Sequence, residues 1–235
     1  MAKTRSSGSS NKAAKTAKAD MDPPFARLCL ITPASFDPVA LAPQLDAALA
    51  AGPVASLIIA TQGLDPALSL AAAERLVPVA QANGAAAIVT GDGSLVRPSH
   101  ADGLHVDGGL ADLRRAMEGF KPDGIVGAGG IHGRHEAMLL AETECDYLFF
   151  GRLGADDGAF IHDKTLDLAA WWSALFEIPA IVMGGRSLDC ISEAIAARIE
   201  FVALRGAVWD HPEGPAAAVA AASRMILAAS AEANS

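Results

Sequence analysis

The 235-residue chain is poor in aromatic and sulfhydryl groups, with one Tyr, three Trp, eight Phe and three Cys. Cys29, Cys145 and Cys190 are widely spaced, no Cys-x-x-Cys occurs, and the count is odd. That argues against a disulfide framework and against a cysteine zinc site; each lies in apolar surroundings and reads as a buried, reduced thiol of a cytoplasmic protein. No apolar run reaches the roughly 18 residues that span a bilayer, so no membrane partner is expected. Nor is there a basic stripe with interleaved aromatics in the folded part, and the formal net charge is −9. A nucleic-acid partner is therefore disfavoured. What remains is an Ala-rich chain, 51% hydrophobic, with positive mean hydropathy. Its length suits one sizeable core.

The first twenty residues read differently. MAKTRSSGSSNKAAKTAKAD carries Lys3, Arg5, Lys12, Lys15 and Lys18 against Asp20 and has no apolar periodicity. A solvated, disordered basic tail over 1–20 is expected. It lacks the apolar stretch of a secretory signal. Met21 opens the folded pattern and is a candidate start, and residues 21–235 are expected to form a single domain.

From residue 27 the chain keeps a regular beat. RLCLI (27–31), VASLIIA (54–60), AAAIVT (85–90), GLHV (103–106), GIVGA (124–128), DYLFFG (146–151), PAIVMGG (179–185) and EFVALRG (200–206) are strand candidates. Helical patterns are expected over 38–51, 68–83, 110–120, 132–143, 166–176, 187–198 and 215–232, with Asp37 and Ser187 as N-caps. The third unit, GDGSLVRPSHAD, carries Gly and Pro where a full helix would lie. Strands that are apolar on both faces belong to a parallel sheet. Eight βα units in about 210 residues predict an α/β fold, a (β/α)8 TIM barrel, with an open doubly wound sheet as the alternative.

In such a barrel the site lies at the C-terminal ends of the strands, and a phosphate is usually held after strands seven and eight. There the chain has Gly184-Gly185 and Arg205-Gly206-Ala207. Glycine lets the backbone approach a phosphate closely, a helix starting at Ser187 would add dipole, and Arg186 or Arg205 would add charge. Gly184, Gly185, Arg205 and Gly206 are therefore candidate phosphate-binding residues. Paired glycines also make an ordinary tight turn, which is the plain alternative.

The stretches IPAIVMGG and IEFVALRGAVW, with ADGLHV (101–106) and 123–151 upstream, resemble thiamine phosphate synthase and its TenI-type relatives. The resemblance covers roughly 27–209 and is best in the second half. It implies the condensation of a hydroxymethylpyrimidine pyrophosphate with a thiazole phosphate, assisted by Mg2+, in thiamine biosynthesis. The small phosphorylated ligand would sit on the Gly184–Gly185 cradle, with Gly206 where the family has a small Ser.

Other positions depart from the family. Thr61-Gln62-Gly63 replaces its Gln-x-Arg-x-Lys cluster for the pyrophosphate. Asp92 stands near its Asn-Asp, and Asp107 is the acid left from its Gln-Glu-Asp turn, so both are candidate metal ligands. His132 lies near the family's histidine, and RLGADDGAF (152–160) replaces its Thr-x-Thr-Lys loop without the Lys, leaving Arg152 as substitute. Thr61, Gln62, His132 and Arg152 are thus candidate substrate contacts, and no residue is assigned as catalytic.

Each also has a plain reading. Asp92 and Asp107 fit turns, His105 a packed histidine, and His132 and His135 a helix surface. Asp156-Asp157 fits a mobile loop face, and Trp171-Trp172 fits packing. The function expected is thus a thiamine phosphate synthase-like transferase. The alternatives are a TenI-type or catalytically degenerate phosphate-ligand binder, or an unrelated sugar-phosphate barrel enzyme. A homodimer is the candidate assembly.

Overall fold

A computed structural model describes residues 26–91, 93–154 and 156–233. The 1–20 tail, Met21 and Asp92 lie outside the described residues. Eight strands alternate with helices: β1 (Arg27–Ile31), α1 (Pro38–Ala50), β2 (Val54–Ile59), α2 (Pro66–Ala82), β3 (Ala86–Thr90), α3 (Val96–Ser99), β4 (Gly103–Val106), α4 (Leu110–Phe120), β5 (Ile125–Ala128), α5 (Arg134–Ala141), β6 (Tyr147–Phe150), α6 (Asp163–Ser173), β7 (Ala180–Met183), α7 (Cys190–Ala196), β8 (Phe201–Leu204), α8 (Gly206–Trp209) and α9 (Pro215–Ala233). All neighbours pair in parallel, and β8 returns to β1 through Arg27↔Phe201 to Leu30↔Leu204, closing the barrel in chain order. The expected TIM barrel is the fold, and the open sheet is excluded by that last pairing. No helix among the described residues is long and apolar enough to cross a membrane.

The strands were legible because both faces are buried. One face of each packs on the helices in a cluster that includes Leu30, Ile59, Val89, Leu148 and Val182. The other fills the lumen with Cys29, Ile31, Ile58, Ile88, Tyr147, Phe149, Ile181, Met183 and Ala203. This two-faced burial leaves no polar alternation to read. Local caps set the helix starts: Asp37 accepts from the Val39 N–H and Asp65 from the Leu68 N–H, at 3.1 and 2.9 Å. The weak third unit is indeed reduced to the four-residue α3. Trp172 is fully buried, stacks on Phe176 with ring centres 3.9 Å apart, and donates to the Ile178 carbonyl. The Trp pair therefore packs the helix layer onto the barrel.

The N-terminal rim is tied by a repeated device. The acid just ahead of β4, β6 and β8 accepts the N–H of a residue on the preceding strand. Asp102 takes Ala87, Asp146 takes Val126 and Glu200 takes Ala180, at 2.7, 2.7 and 3.1 Å. Lys121 adds an ion pair to Asp146. These carboxylates satisfy backbone donors that the parallel ladder leaves open.

Four helices begin elsewhere than their pattern suggests: α2 and α5 are each offset by two residues, at Pro66 and Arg134, and α6 and α7 by three. Ser187 does not cap α7, which starts at Cys190; its hydroxyl instead donates to the Asp189 carboxylate. Helix α6 begins at Asp163, three residues before the expected start, which matters for the site.

Candidate functional site

The C-terminal mouth has two unlike halves. Around β1–β3 it is closed by hydroxyls. Thr32 Oγ1 accepts the Ala60 N–H at 3.0 Å and Thr90 Oγ1 accepts the Thr61 N–H at 2.9 Å. Thr61 is buried and its own hydroxyl lies 3.0 Å from that of Thr90. Its side chain is thus spent on holding β2 to β3. Gln62 is exposed and lines a cavity of about 400 Å³ together with Asp107, Asp112 and Arg115.

Between the halves, a polar chain rises through the lumen. His105 is 1% exposed, with Nδ1 2.9 Å from the Tyr147 hydroxyl and Nε2 3.1 Å from Asp107 Oδ1. The carboxylate can only accept, so Nε2 carries the hydrogen; in the neutral ring Nδ1 then accepts from Tyr147. Burial pushes the Tyr147 hydroxyl well above its ordinary pKa, keeping it a donor. For Asp107, burial works to raise the pKa, but its interaction with His105, chiefly the hydrogen bond, outweighs it and the net shift is downward.

Gly127 of β5 and Gly129 just past its end make room for this chain. A Cβ on Gly127 would sit 1.9 Å from the Tyr147 ring, and one on Gly129 2.7 Å from His105 Nε2. His105 is packed, as its apolar strand suggested. Asp107, which also read as a turn former, is the outward end of the chain. Among the described residues no group of three or more His, Cys, Asp or Glu side chains is placed to hold a metal.

The β7–β8 side is built from donors. Gly184 gives its N–H to the Ala203 carbonyl at 2.8 Å, and its bare Cα lets Leu204 and Cys190 pack against the turn. The donors beyond it are held by the connection between β6 and α6. Arg186 N–H donates to the Gly158 carbonyl and Ser187 N–H to that of Ala159, at 2.8 and 2.9 Å. A Cβ on Gly185 would lie 2.2 Å from the Ala159 carbonyl oxygen, so only glycine admits this approach. Gly206 N–H donates to Asp156 Oδ2 at 2.7 Å. Arg205 pairs with Asp156 Oδ1 and donates to the Gly154 carbonyl.

Asp156 was expected on a mobile loop face; it is 2% exposed. Burial works to raise its pKa, and the Arg205 and Gly206 hydrogen bonds together overcome that and hold it below the ordinary carboxylate value. Asp157, its neighbour, does face solvent.

A second cavity, about 580 Å³, opens between the ends of β5, β6 and β7. Arg152 and His132 line it, as do Lys164 and Thr165 from the first turn of α6. His132 precedes α5 instead of lying within it; its N–H donates to Glu136. Lys164 is the residue that sequence reasoning missed. The β6–α6 loop pattern ends at Phe160, and the early start of α6 brings Lys164 back to the mouth. Among the described residues it makes no ion pair. The signal was present: a Lys-Thr pair four residues past the loop's aromatic.

Comparison with known proteins places the chain in a family. Residues 28–208 match the family model described as thiamine monophosphate synthase. A thiamine-phosphate synthase of Rhodospirillum centenum is 36% identical over 203 residues, covering 85% of this chain and 97% of the relative. One from Hyphomonas neptunium is 31% identical, covering 84% and 92%. Among solved structures, thiamine phosphate pyrophosphorylase from Pyrococcus furiosus superposes with a TM-score of 0.69 at 20% identity, covering 86% of this chain and 96% of that one. A 3-hexulose-6-phosphate synthase superposes at 0.68 with 15% identity, covering 84% and 99%; at such identities the likeness concerns the fold. On the sequence matches and the barrel together, the chain belongs to the thiamine monophosphate synthase family.

Proposed function

We propose that the protein binds a phosphorylated thiamine precursor at the mouth of its barrel, with thiazole phosphate at the β7–β8 rim and hydroxymethylpyrimidine pyrophosphate as its partner in condensation. The observation that carries this reading is the carboxylate held by Arg205 and the Gly206 N–H. Donors converging on one anion are the equipment a phosphate needs.

The condensation displaces pyrophosphate from a benzylic-type carbon, so the chain must stabilise several departing negative charges. Arg152 and Lys164 bring two cations to the 580 Å³ cavity and His132 a third nitrogen donor. They replace in function the cluster absent after β2. Each charge-assisted contact is worth about 1.5–3 kcal/mol, so two or three are worth several powers of ten in rate.

Magnesium is ordinarily held by one or two carboxylates plus substrate phosphates and water. Asp107 fits that demand, with one oxygen on His105 and a side chain 41% exposed; Asp92 is the second candidate. When bound, the ion supplies positive charge to the leaving group. The His105 hydrogen bond keeps Asp107 ionised and aimed. No nucleic-acid or membrane partner enters this reading, and a cytoplasmic homodimer is the expected state.

A second reading, a barrel that binds phosphate esters without synthase chemistry, is favoured by the neutral Thr61-Gln62-Gly63 turn and the commitment of Thr61 to Thr90. Calorimetry with thiazole phosphate, followed by a Mg2+-dependent assay with both precursors, separates the two. Thiamine phosphate formed supports the synthase, and binding without product supports the second reading. Absence of any phosphate binding defeats both.

A further inference from the structure

The four donors that a phosphate would use at the β7–β8 rim are all taken by one segment of the same chain. Asp156 occupies Arg205 and the Gly206 N–H, while the carbonyls of Gly158 and Ala159 occupy the N–H groups of Arg186 and Ser187. Around Gly206 the charges are fully matched. A Cβ built there would stand 2.7 Å from Asp156 Oδ2, 3.3 Å from Asp210 Oδ2 and 3.5 Å from Arg186 Cζ. Arg186 is itself paired with Asp210.

We infer that Asp156 is an internal occupant of the phosphate site, and that a phosphate monoester dianion binds there by exchanging with it. This rests on the phosphate-binding reading above and adds how the site is controlled.

Three observations support exchange over a permanent plug. First, the chemistry favours the incoming group. A phosphate dianion offers three acceptor oxygens and nearly twice the charge of a carboxylate to the same guanidinium and amides. Secondly, the segment is poorly anchored on its outer side. Phe160 is 55% exposed and Asp157 faces solvent, so lifting 156–160 uncovers little apolar surface. Its firm attachment comes just after, where the buried Ile161 gives its N–H to Glu193 Oε2 at 2.9 Å. Thirdly, the other face of 157–160 already lines the 580 Å³ cavity holding Arg152 and Lys164. Displacing the segment joins the phosphate site to that cavity, and binding of the first ligand would open the place for the second.

The test uses the full chain and inorganic phosphate. Asp156→Asn keeps the shape and removes the competing charge, and by calorimetry it should bind phosphate about ten- to a hundredfold more tightly than the wild type. That is the fold-change of one charge-assisted hydrogen bond no longer surrendered. In the wild type, the carboxyl-carbon NMR resonance of Asp156, identified by through-bond assignment to its own backbone, should shift as phosphate saturates the site. This second readout stands even if the variant folds poorly. Equal or weaker binding by the variant, or an unmoved Asp156 resonance in phosphate-saturated wild type, overturns the exchange and leaves the phosphate site standing. Phosphate binding by neither protein overturns both.

Discussion

A methyl group on Gly129 would sit 2.2 Å from Oδ1 of Asp107. The bare strand end of β5 is therefore the space in which the His105–Asp107 pair lies. Gly129→Ala should push the carboxylate off His105 and destabilise the protein by about 1–3 kcal/mol, the usual cost of overpacking. Gly133→Ala, on extended backbone with open space around it, should cost under about 1 kcal/mol. Urea midpoints of the two variants measure the difference; equal midpoints would show that the pair does not need the gap.

Tyr147→Phe removes the hydroxyl 2.9 Å from His105 Nδ1 and leaves a ring nitrogen unpartnered in the lumen. A loss of about 1–3 kcal/mol is expected. Because Asp107 is oriented through His105, ligand affinity should fall as well. A stability loss with unchanged affinity would separate the lumen hydrogen bond from the site.

Asp156 has its pKa lowered in the folded protein relative to the ordinary value of 3.8. Its stabilisation is therefore fully present above that value and is lost as pH falls through the folded-state pKa. Thermal midpoints should drop below about pH 4 in the wild type, and Asp156→Asn should flatten that limb by removing one titrating group. A limb of unchanged steepness would show that the Arg205 pair contributes nothing to acid sensitivity.

Lys164→Ala should leave stability within about 0.5 kcal/mol, since the side chain is exposed and unpaired among the described residues. Affinity for a pyrophosphate-bearing ligand should fall about ten- to a hundredfold if the side chain meets that anion. Inorganic pyrophosphate titrated into both proteins reads this directly, and identical affinities would remove Lys164 from the site.

Burial pushes the thiols of Cys29, Cys145 and Cys190 each up to about 11. At pH 8 the folded protein should resist a thiol-labelling reagent, and all three groups should react at the rate of global unfolding. Immediate labelling of any one would mean that its surroundings open locally.

Much of the barrel could be read from the chain because parallel strands buried on two faces leave continuous apolar runs, such as LIIA (57–60) and YLFF (147–150). Helix ends were harder. Ser187 has the chemistry of an N-cap yet bonds to Asp189, and α6 starts at Asp163. The rim residues divided in the same way. Gly185 and Gly206 stand out because a glycine at a strand end marks close backbone approach. Thr61 gave no sign that it would turn to Thr90, nor Asp156 that it would be buried.

Strand count and parallel direction follow from apolar periodicity and turn residues, since these depend on neighbours within a few positions, whereas closure into a barrel with a mouth rests on the pairing of β1 with β8. Tertiary structure decided which groups meet across the mouth. Asp156 reaches Gly206 fifty residues away, Tyr147 reaches His105 forty-two residues away, and Lys164 joins Arg152 at one cavity. Barrel closure brings these distant strand ends to a single rim, and charge and hydrogen-bond satisfaction then select the partners.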